Sequence, residues 1–438
     1  MRGAALILPV FLATAAVADG FRSFDGHGGP IMDVVISADG SQLLTASFDY
    51  AVGLWDSGAE APPLWLEGHN AAVNAAAFVP GGRAVSGGDD FALILWDLAT
   101  GRALRRMEGH RGKVMAVAPS PDGTLIASAS WDGTARLWQT ETGAELAVLS
   151  EHHGNVNDVA WAKGGAILYS AGYDGTVIEW DVATRRPLRR MASHGFGVNV
   201  LALDDAAEWL AYGALDGGVK VLDLATGAEL ADLSGDRRPI LALARSPDGG
   251  RLAVGDGEGY IMVVDTADWR IEHDFRAAVN GPIWALSFTG DGRGIVAGGI
   301  ADEAFLWPLE ATDSQPRLAE LRRRFHTDPG EVSNGERQFL RKCSICHTLG
   351  TDGERRAGPS LFGVFGRRAG TLAGYTYSPA LSGSRIVWSE KTIDQLFELG
   401  PDHVTPGSKM PMQQIASPED RADLIAFLKR ETDPEQTE

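Results

Sequence analysis

The sequence predicts two unlike parts: an array of seven four-stranded β units, followed by a small all-α domain. Three observations carry this. Strand ends recur at Trp55, Trp96, Trp138, Trp180, Leu222, Val264 and Trp307, with spacings of 41, 42, 42, 42, 42 and 43 residues. Within each period, short β-branched runs alternate with turns such as Ser120-Pro121-Asp122-Gly123 and Ser246-Pro247-Asp248-Gly249, the pattern of four short strands. After Trp307 the period stops, and helix caps with amphipathic stretches take over. One unit of this size cannot bury its own apolar face, so the copies must stack on one another.

Composition agrees with a packed chain. Its 438 residues give a prior of about three domains, and 44% hydrophobic with 22% charged residues excludes disorder, collagen and a multi-spanning membrane protein. Glycine, at 54 residues, is well above its usual share and fits many short turns. Net charge is −19, the wrong sign for a general nucleic-acid binder. The charge is uneven: residues 1–315 carry 22 basic and 41 acidic side chains, while residues 316–438 carry 17 of each. The only cysteines, Cys343 and Cys346, leave no disulfide framework.

Taken in order, the first element is not part of the fold. Arg2, an apolar stretch from Ala4 to Ala15 and then Ala16-Val17-Ala18 match a secretory signal peptide over residues 1–18. Cleavage would leave Asp19 first and send the chain to the periplasm. The competing reading is a retained anchor, but the stretch is shorter than the ~20 residues a span needs. No later segment reaches 18 uninterrupted apolar residues, so the mature chain is expected to lack a transmembrane segment.

The repeats occupy residues 19–310. The third copy reads Gly109-His110, then Ser-Pro-Asp-Gly, then Ser128-Ala129-Ser130-Trp131-Asp132-Gly133-Thr134-Ala135-Arg136-Leu137-Trp138. This closely resembles the WD-repeat family, which implies a seven-bladed β-propeller. The family's buried chain of His, Ser/Thr, Asp and Trp maps onto His27, Thr45, Asp49, Trp55; His69, Ser86, Asp90, Trp96; His110, Ser128, Asp132, Trp138; and His152, Ser170, Asp174, Trp180. Copy five keeps His194 and Asp216 but has Tyr212 and Leu222, and copies six and seven lose nearly all of the chain. Packing there must rest on apolar contacts. One histidine per blade cannot converge on a single metal ion, so these residues are structural. The resemblance also implies that Phe21-Arg22-Ser23-Phe24 supplies the outer strand of the seventh blade, removing an open edge. The propeller is expected to act as a scaffold with no chemistry of its own.

Residues 311–327, with Ser314-Gln315-Pro316 and Arg322-Arg323-Arg324, read as a linker. A helix is then expected from Asp328 as cap, with Pro329 and Glu331 following, and it runs into Cys343-Ser344-Ile345-Cys346-His347. Two thiols three apart reach the two vinyl groups of one haem, and the adjacent imidazole reaches the iron. A structural zinc would need four ligands, and no other cysteine exists. A thioredoxin-like pair would follow a strand rather than a helix.

Further on come Gly358-Pro359-Ser360-Leu361-Phe362-Gly363-Val364-Phe365-Gly366-Arg367, Gly374-Tyr375-Thr376-Tyr377, Trp388 and Pro406-Gly407-Ser408-Lys409-Met410-Pro411. Across about residues 328–432, within a domain taken as 328–438, the sequence strongly resembles class I, mitochondrial-like c-type cytochromes. The resemblance implies one covalently bound haem c, with Cys343 and Cys346 as thioether anchors and His347 and Met410 as axial iron ligands. It implies that the Pro359 carbonyl orients His347, and that Arg367, Tyr377, Trp388 and Ser408 hydrogen-bond the propionates. Met412, His326 and His403 are rival ligands of lower merit, expected at the surface or in capping roles. Phe397 stands where the family often has a tyrosine, and the family's ring of lysines is largely missing. The final helix opens at Ser417-Pro418 with Leu424, Phe427 and Leu428 on one face, crosses the first at Gly335 beside Phe339, and leaves a polar tail from Thr432.

The fold class is thus multidomain: an all-β seven-bladed propeller followed by a small all-α cytochrome c domain. The function this implies is a periplasmic carrier of single electrons rather than a catalyst, with the propeller docking redox protein partners that present a basic patch. The competing class is an oxidoreductase whose propeller oxidises a substrate and feeds its own haem. Residues 19–310 show no convergent cluster of acids, bases or metal ligands for it.

Overall fold

A computed structural model of the chain describes residues 22–311 and 332–434, apart from 60, 207, 236–238, 279–280 and 352–354. The signal-peptide segment, His326 and the expected helix start at Asp328–Glu331 lie outside the described residues.

Seven four-stranded antiparallel sheets form the blades. Blade 1 comprises Ile31–Ile36, Gln42–Ser47, Ala51–Asp56 and Leu64–Glu67. Blade 7 comprises Ile283–Phe288, Gly294–Gly299 and Ala304–Pro308, and its outer strand is Arg22–Phe24. Arg22 pairs with Leu306 and Phe24 with Ala304, so the chain's beginning closes the ring and covers the edge of the Ala304–Pro308 strand. Every innermost strand has a register shift at the same place, between its first and third residues, as at Ile31/Asp33 and Val156/Asp158. Apolar side chains fill the gaps between neighbouring blades. Val52 and Leu66 of blade 1, for example, share a cluster with Val73, Ile94 and Trp96 of blade 2.

The buried polar chain is present in the first four blades. In blade 1 the Trp55 indole donates to Thr45 Oγ1 at 2.8 Å, Thr45 Oγ1 lies 2.7 Å from His27 Nε2, and His27 Nδ1 lies 2.9 Å from Asp49 Oδ2. The carboxylate also accepts the Gly28 amide. Each polar atom is thereby matched, which makes the chain tolerable in a dry interior. In blade 5, Tyr212 fills the serine's place, and the His194 ring turns over so that Nε2 meets Asp216 at 3.0 Å. Blades 6 and 7 hold together by apolar packing, with Phe275 against Trp307 and Ile261, Val263, Ile283 and Phe288 around them.

Among its described residues the C-terminal domain contains five helices: α1 (Asn334–Lys342), α2 (Pro379–Ser382), α3 (Glu390–Leu399), α4 (Pro401–Val404) and α5 (Pro418–Glu431). The described start of α1 differs from the expected one. Its cap is Ser333, whose hydroxyl accepts the Glu336 amide, and the Ser-x-x-Glu spacing here is itself a helix-start signal that the Asp328-Pro329 pair obscured. Helix α5 begins as expected, with Ser417 as cap and Pro418 in the first turn. The two cross at Gly335, where a β-carbon would stand 2.1 Å from the Asp423 carbonyl, and the Phe339 and Phe427 rings pack at 5.6 Å. Thr432, the first residue of the polar tail, is not loose. It is 1% exposed, donates its hydroxyl to Leu428 and accepts the Gly363 amide, so it ties α5 to the loop after Pro359. No helix among the described residues is long and apolar enough to cross a membrane.

Candidate functional site

The Cys343–His347 segment folds as a tight turn at the end of α1. The Cys343 amide still bonds to Phe339, while the amides of Cys346 and His347 both bond to the Cys343 carbonyl at 2.9 Å. This turn brings both thiols and the imidazole to one cavity. Burial pushes the Cys343 thiol up to about 12 and the Cys346 thiol up to about 11, so both are neutral in the cavity wall.

His347 is fixed from behind. Its Nδ1 donates to the Pro359 carbonyl at 2.7 Å, which leaves Nε2 unprotonated and turned to the cavity. Burial lowers the imidazole's pKa, favouring that neutral form. Gly358 makes the approach possible: its amide bonds to Cys346 and its α-carbon lies against the ring.

The opposite wall comes from the loop between α4 and α5. Thr405 and Ser408 share a hydroxyl contact of 3.1 Å, and the Ser408 amide bonds to Thr405, a turn that presents Met410 to the cavity. Met412 is 53% exposed and lies outside the cavity lining, and His403 is also exposed. Phe397, Tyr377, Trp388, Ser408 and Arg367 all line the same space. The Arg367 guanidinium donates to the carbonyls of Ser360 and Phe362 at 2.8 Å each, so in this structure it braces the loop behind Pro359. Every described site residue anticipated from the sequence is therefore brought to one place.

Sequence reasoning missed three contributors. Tyr375 donates its hydroxyl to the Ala357 carbonyl, holding the segment before Gly358. The others are Arg355, which lies outside the cavity lining but reaches Asp49 of the propeller at 3.0 Å, and Tyr50, itself a propeller residue. Tyr50 lines the cavity and donates to the Lys409 carbonyl at 3.1 Å. No local pattern could have revealed Tyr50, because the contact joins residues 359 positions apart.

Two thiols, an imidazole whose far nitrogen is occupied, and a thioether around one largely apolar cavity fit a covalently attached haem, and the whole is a haem domain of c type on a propeller scaffold. Comparison with known families agrees. The model described as WD domain, G-beta repeat matches residues 21–56, 62–97, 101–139 and 143–181, and the cytochrome c model matches residues 332–431. The chain is 43% identical to cytochrome c of Cannabis sativa over 104 residues, which is 24% of this chain and 93% of that one. It is 42% identical to cytochrome c of Sesamum indicum over 104 residues, with the same coverage of 24% and 93%. Against cytochrome c of Chlamydomonas reinhardtii it is 42% identical over 103 residues, 24% of this chain and 91% of the relative. The chain belongs to the cytochrome c family through its C-terminal domain, joined to a WD-repeat propeller. Membership implies a covalently bound haem iron and an electron-carrying role.

Proposed function

We propose that the chain is exported to the periplasm and carries single electrons through one haem, with the propeller as docking scaffold for redox partners. The observation that carries this reading is the convergence of Cys343, Cys346, His347 and Met410 on one cavity. In it, Cys343 and Cys346 would hold the haem covalently through their sulfurs, and His347 and Met410 would be its iron ligands. Haem so ligated supplies a one-electron couple in which the thioether favours the ferrous state. The chain's own part is to present an imidazole and a thioether to one cavity, a ligand pair that would suit electron transfer rather than oxygen or peroxide chemistry. Pro359 holds the imidazole's orientation, and Phe397 and Leu396 give the cavity an apolar wall. Tyr377, Trp388, Ser408 and Arg367 line the cavity as candidates for the propionates.

The docking role rests on charge. The net negative charge lies in residues 1–315, and a partner with a basic patch would be drawn to that half. Export is supported by the pattern of residues 1–18. The test is mass spectrometry of the protein made in cells that mature c-type cytochromes. The expected product starts at Asp19 and retains one haem after acid denaturation. A haem-free mass overturns the cofactor assignment, and an intact Met1 overturns cleavage.

A further inference from the structure

We propose that blade 1 of the propeller is a built wall of the haem site, and that Tyr50 holds closed the loop that carries Met410. The inference goes beyond the scaffold role, and in naming Met410 as ligand it rests on the function proposed above.

Three independent features of blade 1 set it apart from its neighbours. The first is the partner of the buried carboxylate. In blade 2, Asp90 receives Arg106 from the blade's own outer strand at 3.0 Å, and in blade 3, Asp132 receives Arg136 at 3.3 Å. Blade 1 has no such arginine. Trp65 stands opposite Gly53 where Arg106 stands opposite Ile94. The guanidinium that reaches Asp49 comes instead from Arg355 of the haem domain, at 3.0 Å, and lies 4.5 Å over the Trp65 ring. Arg355 also pairs with Glu67 at 2.6 Å. The Asp49 side chain is 0% exposed, so a cation delivered there is shielded little by solvent.

The second feature is the residue after the chain's histidine. It is Asn70, Arg111 and His153 in blades 2, 3 and 4, and Gly28 in blade 1. A β-carbon at Gly28 would stand 1.8 Å from the Arg355 carbonyl oxygen. The backbone of the haem domain occupies the space a side chain would need. Arg356 completes the seat, donating to the Gly28 carbonyl at 3.0 Å and reaching Asp302 of blade 7 at 3.5 Å.

The third feature is Tyr50, next to Asp49 in the same turn. It is 9% exposed, packs with Ala72 and Ala357, and has Cys346 at the edge of the same apolar cluster. Its hydroxyl donates to the carbonyl of Lys409, one residue before Met410. Thus Asp49 anchors the haem domain, and the adjacent Tyr50 fastens the ligand loop. Tyr50 is a positioning residue: it acts on the iron through Lys409 and Met410.

The test compares full-length holoprotein as wild type, Tyr50→Phe and Tyr173→Phe. Tyr173 precedes Asp174 at the corresponding turn of blade 4 and is 60% exposed, so it reports a general effect of losing a phenol. The deciding measurement is hydrogen exchange of the Ser408 amide, which lies in the loop and can be read whichever side chain binds iron. Loss of one neutral hydrogen bond predicts about fivefold faster exchange in Tyr50→Phe and none in Tyr173→Phe. Equal exchange in all three proteins overturns the proposal. Cyanide binding to the ferric protein is read alongside and is expected to quicken by a similar factor. A wild type lacking the methionine-to-iron band overturns the ligand assignment, while the Ser408 amide still decides the role of Tyr50.

Discussion

The Gly358 backbone passes directly beside the His347 imidazole: a β-carbon there would stand 2.4 Å from Cε1 and 2.7 Å from Nδ1. The same Nδ1 donates to the neighbouring Pro359 carbonyl. Gly358→Ala must therefore push the ring off its acceptor or move the turn. The expected outcome is a holoprotein destabilised by roughly 1–3 kcal/mol, the usual cost of overpacking, with a weakened low-spin spectrum. Thermal unfolding and the ferric absorption spectrum check it, and an unchanged pair of results would mean the turn absorbs a methyl group freely.

Met410 lines the cavity while Met412 is turned to solvent. Met410→Ala should open the sixth coordination position, so that the ferrous protein binds carbon monoxide readily. Met412→Ala should behave as wild type. Carbon monoxide binding followed by difference spectroscopy distinguishes them, and the reverse result would exchange the two roles.

Helices α1 and α5 touch through Gly335, whose added β-carbon would meet the Asp423 carbonyl and Phe427 Cβ at 2.1 and 2.8 Å. Gly335→Ala should destabilise the haem domain by about 1–3 kcal/mol. Gly195→Ala, where a β-carbon meets nothing within 4 Å, should change propeller stability by less than about 0.5 kcal/mol. Denaturant midpoints for the two variants give the comparison.

Asp158 and Asp33 sit on the innermost strands of blades 4 and 1. Burial is the main cause that raises Asp158 from an ordinary 3.8 to about 7 and Asp33 to about 6, against the pull of the backbone amides each accepts. A carboxyl whose folded pKa is raised binds more protons folded than unfolded, so its contribution falls as pH climbs from 3.8 toward 7. Removing Asp158 should erase its share of that loss. The unfolding temperature of Asp158→Ala relative to wild type should rise between pH 4 and pH 7.5. A difference that stays flat across this range would show that Asp158 titrates normally.

Docking driven by the acidic half should slow as salt screens it. Reduction of a basic redox partner by the full chain should fall steeply as the Debye length drops below ~10 Å. Stopped-flow rates at increasing ionic strength measure this, and a salt-independent rate would remove charge from the docking role.

Much of this was legible from residue spacing. The 42-residue recurrence of Trp96, Trp138 and Trp180 exposed the blades, because identical packing demands recur once per unit. Cys343, Cys346 and His347 were legible because their chemistry depends on local spacing. Blades 6 and 7 left weaker marks, since apolar packing around Phe275 and Trp307 accepts many sequences where a hydrogen-bond chain accepts few. Tyr50 and Arg355 left none. Each resembles an ordinary surface residue until the two halves of the chain meet, and nothing within its own repeat or loop announces a distant partner. The start of α1 was misplaced because Asp328-Pro329 and Ser333 with Glu336 are both valid signals, and spacing alone does not rank them.

A ring of blades has one joint that no peptide bond crosses, between Ala304–Pro308 and Arg22–Phe24. Arg356 spans that joint, with Gly28 on one side and Asp302 on the other. The haem domain is therefore a clasp laid over the seam. Opening the propeller at that joint must break the Arg356 contacts, so the docked haem domain adds to the ring's equilibrium stability and, because those contacts go first, to its lifetime as well.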